Sequence, residues 1–113
     1  MNCFKYAIKG IISAFSHRNF LIEFCVGLIV IISMFFLDYT HIEKAILFLI
    51  IFLVLAAEKI NSAIEKVIDI VSPEHNKLAG QAKDLAAGAV LLLAICSIII
   101  ACFIILPKVV ETL

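Results

Sequence analysis

The chain has 113 residues, is 65% hydrophobic with a mean hydropathy of +1.20, and carries 16% charged residues with no net charge. A soluble domain of this size could not bury so much apolar surface, so the composition points to an integral membrane protein. It excludes the basic surface and basic–aromatic patches of nucleic-acid binding.

Residues 1–19 carry Phe4, Ile8, Ile11, Ile12 and Phe15 at helical spacing, with Lys5, Lys9, Ser13 and Ser16 elsewhere. The pattern predicts an amphipathic helix on a membrane surface, although a terminal helix packed on a bundle would show the same spacing. No small-residue cleavage site follows an early apolar run, so this is not read as a secretory signal. Residues 20–37 form a first span, short but sufficient. Glu23 lies in its first turn, able either to reach headgroups or to face the bundle. A polar connector, 38–44, follows, in which Thr40-x-x-Glu43 has the form of a capping box.

The next helix is expected over about 42–71. At roughly 45 Å it would outrun a hydrocarbon core of roughly 30 Å, so its last turns should emerge into water. Ser72-Pro73 reads as the end of that helix, with Ser72 as N-cap and Pro73 as first residue of another segment. The third span is placed at 85–106 and stopped by Pro107, and its Ala86, Ala87, Gly88 and Ala89 offer a surface for close helix approach. The expected architecture is a single all-α membrane domain, 1–113, with a surface helix and three transmembrane helices. So thin a bundle favours a homo-oligomer.

Lys5, Lys9 and Arg18 precede the first span, and Lys59, Lys66, Lys77 and Lys83 lie between the second and third. The opposite side has only Lys44 and Lys108. The positive-inside rule therefore places the N-terminus and the polar segment on the cytoplasmic side of the cell membrane. Cys3, Cys25, Cys96 and Cys102 form no CxxC pair and read as small apolar packers. No P-loop, dinucleotide fingerprint or nucleophile elbow is present.

The chemistry concentrates in 56–90. On a helix at about 100° per residue, Glu58, Asn61, Ser62, Glu65 and Asp69 share a sector, while Lys59 and Lys66 lie on another side. Such a stripe is commonly a solvated helix face. Here an unbroken apolar run leads directly into Glu58, and a carboxylate at the edge of a span is a functional candidate. Phosphoryl transfer needs positioning, a divalent ion, a cation near the phosphates and a group to take the hydroxyl proton. Glu65 and Asp69 are hard oxygen donors suited to Mg²⁺, Lys83-Asp84 suits phosphates and their metal, and Glu58 suits the base. From spacing alone, an ion-coupled transporter would use Glu58 equally well.

Glu58-x-x-Asn61-Ser62-Ala63-Ile64-Glu65-x-Val67-x-Asp69, followed by Ala82-Lys83-Asp84, resembles the bacterial diacylglycerol kinase family, which includes the undecaprenol kinases. The likeness covers nearly the whole chain, and Ser72-Pro73-Glu74 is more similar to the undecaprenol kinase branch. It implies a homotrimeric membrane lipid kinase that transfers the ATP γ-phosphate to undecaprenol or diacylglycerol with Mg²⁺. It further implies Glu58 as base, Asn61 as an active-site polar residue, Glu65 as a Mg²⁺ and nucleotide ligand, and Lys83 with Asp84 as nucleotide contacts. Glu74, His75 and Asn76 fall where the family has a nucleotide-contacting Glu-Tyr-His. The family's second metal-binding glutamate corresponds to His17 here, and residues 1–22 contain no acid. A catalytically inactive relative serving as a membrane interaction protein would account for that departure, but would not need the retained Glu58 and Glu65.

Overall fold

The computed structural model describes residues 2–14, 18–74 and 76–113, with side chains described outside 12–20. The described residues form helices α1 (Asn2–Ala14), α2 (Arg18–Ser33), α3 (His41–Val71) and α4 (Lys77–Thr112). At about 1.5 Å per residue, α3 and α4 run about 46 and 54 Å. This accounts for the longest dimension of the molecule, 55 Å. Both are long and apolar enough to cross a membrane, and α2 adds a shorter apolar run, Leu21–Ser33.

Local chemistry explains most boundaries. Thr40, in extended conformation, caps α3: its hydroxyl accepts from the Glu43 amide, and the Glu43 carboxylate accepts from the Thr40 amide at 2.9 Å. The capping box is thus present as the sequence suggests. After Ser33 the chain tightens, with the amides of Met34, Phe35 and Phe36 each reaching the carbonyl three residues back. These short turns carry the apolar run past the α-helix proper and bring Tyr39 into the interior.

Two expectations about helix ends are corrected. Ser72 closes α3, its amide donating to the Ile68 carbonyl and its hydroxyl to the Glu74 carbonyl. The N-cap of α4 is instead Asn76, whose Oδ1 accepts from the Leu78 amide at 2.8 Å. Pro107 does not stop the last helix, which continues to Thr112. Proline's fixed φ is helical, and its cost is one lost amide bond and a local clash. The turn beyond it is held by Lys108, which pairs with Glu43 at 3.5 Å, and by the Thr112 hydroxyl donating to the Lys108 carbonyl.

Helices α3 and α4 pack antiparallel along their length, and α2 lies against α3. Ion pairs mark both ends of the α3–α4 pair: Glu43–Lys108 at one, Asp69–Lys83 at 2.6 Å at the other. Gly27 sets how closely α2 approaches, because a Cβ there would stand 3.1 Å from Ile51 Cγ2. The interior is small and lies toward the α2–α3 turn, where Tyr39, Leu47 and Ile104 are buried with Val30, Met34, Leu37, Ile100 and Ile105 around them. Most other large apolar side chains face outward. The cysteines are free and exposed, so they do not pack inside this chain as their apolar character suggested. Among the described residues, a Cβ added at the small-residue position Gly88 would meet nothing within 4 Å beyond its own stretch of helix.

Candidate active site

At the end of the molecule away from that interior, α3 carries its acidic face out of the apolar region. Glu58 and Asn61 are half-buried there, while Glu65 and Asp69, one and two turns on, are exposed. This gradient follows from the sequence, since the continuous apolar run of α3 ends just before Glu58. The amide of Asn61 donates to Glu65 Oε1 at 3.4 Å, and its Oδ1 is buried with no hydrogen-bond partner. A buried acceptor without a donor is costly, and here it is available to a ligand hydroxyl.

The first turns of α4 complete the arrangement. Lys83 reaches across to Asp69 at 2.6 Å, a charge-assisted contact, and also feels the charge of Glu65. The Ala82-Lys83-Asp84 segment is thereby brought against the acidic face of α3, with Asp84 exposed beside Lys83. The fold thus joins Glu58, Asn61, Glu65, Asp69 and Lys83 at one end of the α3–α4 pair. Glu74 and Asn76 belong to the connector between those helices, where the described contacts are to backbone: the Glu74 carbonyl receives Ser72, and Asn76 caps α4. His75 and His17, and with His17 the question of a second metal, lie outside the described residues.

The sequence reading left Glu23 undecided between headgroups and bundle, and the structure turns it inward. It is half-buried, within side-chain hydrogen-bonding reach of Glu58, and its Oε2 is buried without a partner. It also stands on an apolar cavity of about 310 Å³ between α2, α3 and α4, together with Gly27, Leu47, Ile50, Ala94 and Ser97. The sequence signal was its placement four residues before Gly27, on the helix face that a close approach must turn toward α3. Next in sequence, the Lys59 ammonium donates to the Gly10 carbonyl at 2.7 Å and ties α1 to α3.

Among the described residues no three His, Cys, Asp or Glu side chains cluster to hold a metal ion. The donors that are present suit a different mode. Mg²⁺ keeps several waters and is bound through one or two carboxylates together with substrate phosphates. Glu65, exposed and a hard oxygen donor, fits that requirement.

A family model described as prokaryotic diacylglycerol kinase matches residues 5–105. The undecaprenol kinase of Bacillus subtilis is 40% identical over 106 residues, covering 93% of this chain and 86% of that protein. A diacylglycerol kinase of Synechocystis is 42% identical over 106 residues, covering 92% of this chain and 61% of its own length. The diacylglycerol kinase of Escherichia coli is 34% identical over 98 residues, covering 86% and 80%.

Proposed function

The chain belongs to the prokaryotic diacylglycerol kinase family and is a lipid kinase, and on that footing we propose that it transfers the γ-phosphate of ATP, with Mg²⁺, to the hydroxyl of a membrane lipid alcohol. The relatives are named for two such alcohols, undecaprenol and diacylglycerol. One observation carries the assignment of the site: the Lys83–Asp69 pair joins the Ala82-Lys83-Asp84 segment of α4 to the α3 face bearing Glu58, Asn61 and Glu65.

In this reading Glu58 accepts the proton of the lipid hydroxyl while the hydroxyl oxygen bonds to the γ-phosphorus. The bond from that phosphorus to the β,γ-bridging oxygen breaks, giving lipid phosphate and ADP. Asn61, half-buried one turn from Glu58, lines the site as a polar residue and donates its side-chain amide to Glu65. Lys83 exchanges Asp69 for phosphate oxygens, Asp84 beside it meets the nucleotide, and the connector residues Glu74 and Asn76 flank the nucleotide. Glu65 would hold Mg²⁺, which when bound offsets phosphate charge. Glu58 would stand where the apolar run ends, so a lipid hydroxyl and a water-soluble nucleotide both reach it.

The same proposal includes three spans, at about 20–37, 42–71 and 85–106, in a homotrimer of the cytoplasmic membrane. The N-terminus and reaction end face the cytoplasm, in keeping with the lysine distribution and with the supply of ATP.

The test is transfer of labelled phosphate from ATP to undecaprenol or diacylglycerol, offered separately in mixed micelles with Mg²⁺ varied. Transfer to one or both lipids, lost in Glu58→Gln while nucleotide binding persists, is expected. Folded protein that phosphorylates no lipid, or a Glu58→Gln variant at full rate, would overturn the assignment.

A further inference from the structure

Glu23 is the ionisable side chain among the described residues lining the apolar cavity, and it lies outside the two motif segments. It sits one turn before Gly27, whose contact with Ile51 presses α2 onto α3. Because the helices run antiparallel, that contact carries Glu23 toward Glu58, two turns beyond Ile51. The two carboxyl groups come within hydrogen-bonding reach, and Glu23 Oε2 remains buried without a partner. Ionised carboxylates only accept hydrogen bonds, so two carboxyl groups bond to each other only when one of them carries a proton.

We propose that Glu23 is a positioning residue for Glu58: a proton shared across the α2–α3 contact fixes the Glu58 side chain and leaves its other oxygen to receive the lipid hydroxyl's proton. The proposal rests on the reading of Glu58 as base. The pair holds one proton before phosphoryl transfer and two after it, and the second returns to water before the next turnover. Without the contact, Glu58 would be one flexible side chain among several rotamers, and misplacement of a reacting group by even about 1 Å costs on the order of 100-fold in rate.

Three variants test this in the mixed-micelle assay, with Mg²⁺–ATP binding measured in parallel. Glu23→Leu keeps apolar volume but removes the hydrogen bond. Glu23→Asp keeps the carboxyl but draws it back by one methylene, and it probes the contact even if the leucine variant does not assemble. Glu23→Gln keeps the length and can donate an amide hydrogen to Glu58. The expected result is a kcat lowered about 10- to 100-fold in the Leu and Asp variants, KM for ATP within about twofold, and recovery of most of the rate in Gln. Wild-type kcat in the Leu or Asp variant, an effect confined to KM for ATP, or equal loss in all three would overturn the proposal. Glu58→Gln separates the two levels. If it keeps full rate, the assignment of the base fails; if it is inactive while the Glu23 variants are unaffected, only the positioning role fails.

Discussion

Glu65 and Asp69 are neighbours on one helix face, yet the structure gives them different partners: Glu65 takes a long hydrogen bond from Asn61, and Asp69 is paired with Lys83. Their contributions should therefore separate. Glu65→Gln keeps shape and the bond from Asn61 but removes the charge needed by a hard cation. Its Mg²⁺–nucleotide affinity is expected to fall at least about tenfold, the loss usual for groups that merely support a metal ligand. Calorimetric titration of Mg²⁺–ATP would show this, and unchanged affinity would remove Glu65 from the metal's surroundings. At this scale the sequence was informative where several motif residues share a helix face. Glu58, Asn61, Glu65 and Asp69 repeat at helical spacing, and a helix once formed has no choice but to present them together. It left Glu23 undecided, because a lone acid in a first turn satisfies water and bundle equally well, and its spacing from Gly27 gains meaning only once the neighbouring helix is in place.

Among the elements, helix ends divide the readable from the unreadable. Thr40 and Glu43 could be read because a capping box is a reciprocal pair written in four consecutive residues. Ser72-Pro73 misled because serine before proline suits a helix start, whereas the hydroxyl is used on the Glu74 carbonyl and the cap passes to Asn76. Asn76→Ala should cost about 0.5–2 kcal/mol and fray the first turn of α4, while Asn76→Ser, still a capping residue, should largely restore it. Hydrogen exchange at the amides following Asn76 would detect the difference, and equal protection in both variants would deny the cap its role. Gly27 makes a second prediction for the α2–α3 pair. A Cβ at Gly27 would already stand 3.1 Å from the Ile51 Cγ2 methyl, so the larger Gly27→Val should push the helices apart and destabilise the protein by about 1–3 kcal/mol. Thermal unfolding in detergent measures that cost. The same variant should lose activity, since the Glu23–Glu58 contact lies along the same seam.

For the whole molecule, the surface area is informative. The single chain exposes 8578 Å². A compact soluble protein of its mass would expose about 6,200 Å². Lipid can cover part of the excess, and copies of the chain can cover more. Native mass spectrometry from detergent is expected to give three protomers, and a monomer that retains full activity would contradict the proposed trimer. The thin bundle favoured a homo-oligomer, but which side chains would meet another copy was not legible in the residues themselves. An apolar side chain facing lipid and one facing another copy obey the same periodicity, and packing in a membrane is driven by fit rather than by hydrophobicity.

The packed interior gathers around Tyr39, Leu47 and Ile104, whereas the acidic face lies at the opposite end of α3 with half-buried and exposed side chains. Local opening needs the least free energy where few apolar contacts must be broken. The long helices should therefore loosen from the acidic end while the α2–α3 turn stays closed, so that α3 works as a lever clamped at one tip. Random variants should sort by depth along it: changes at the clamped tip would reduce how much protein accumulates, and changes at the free tip would reduce how fast each molecule turns over.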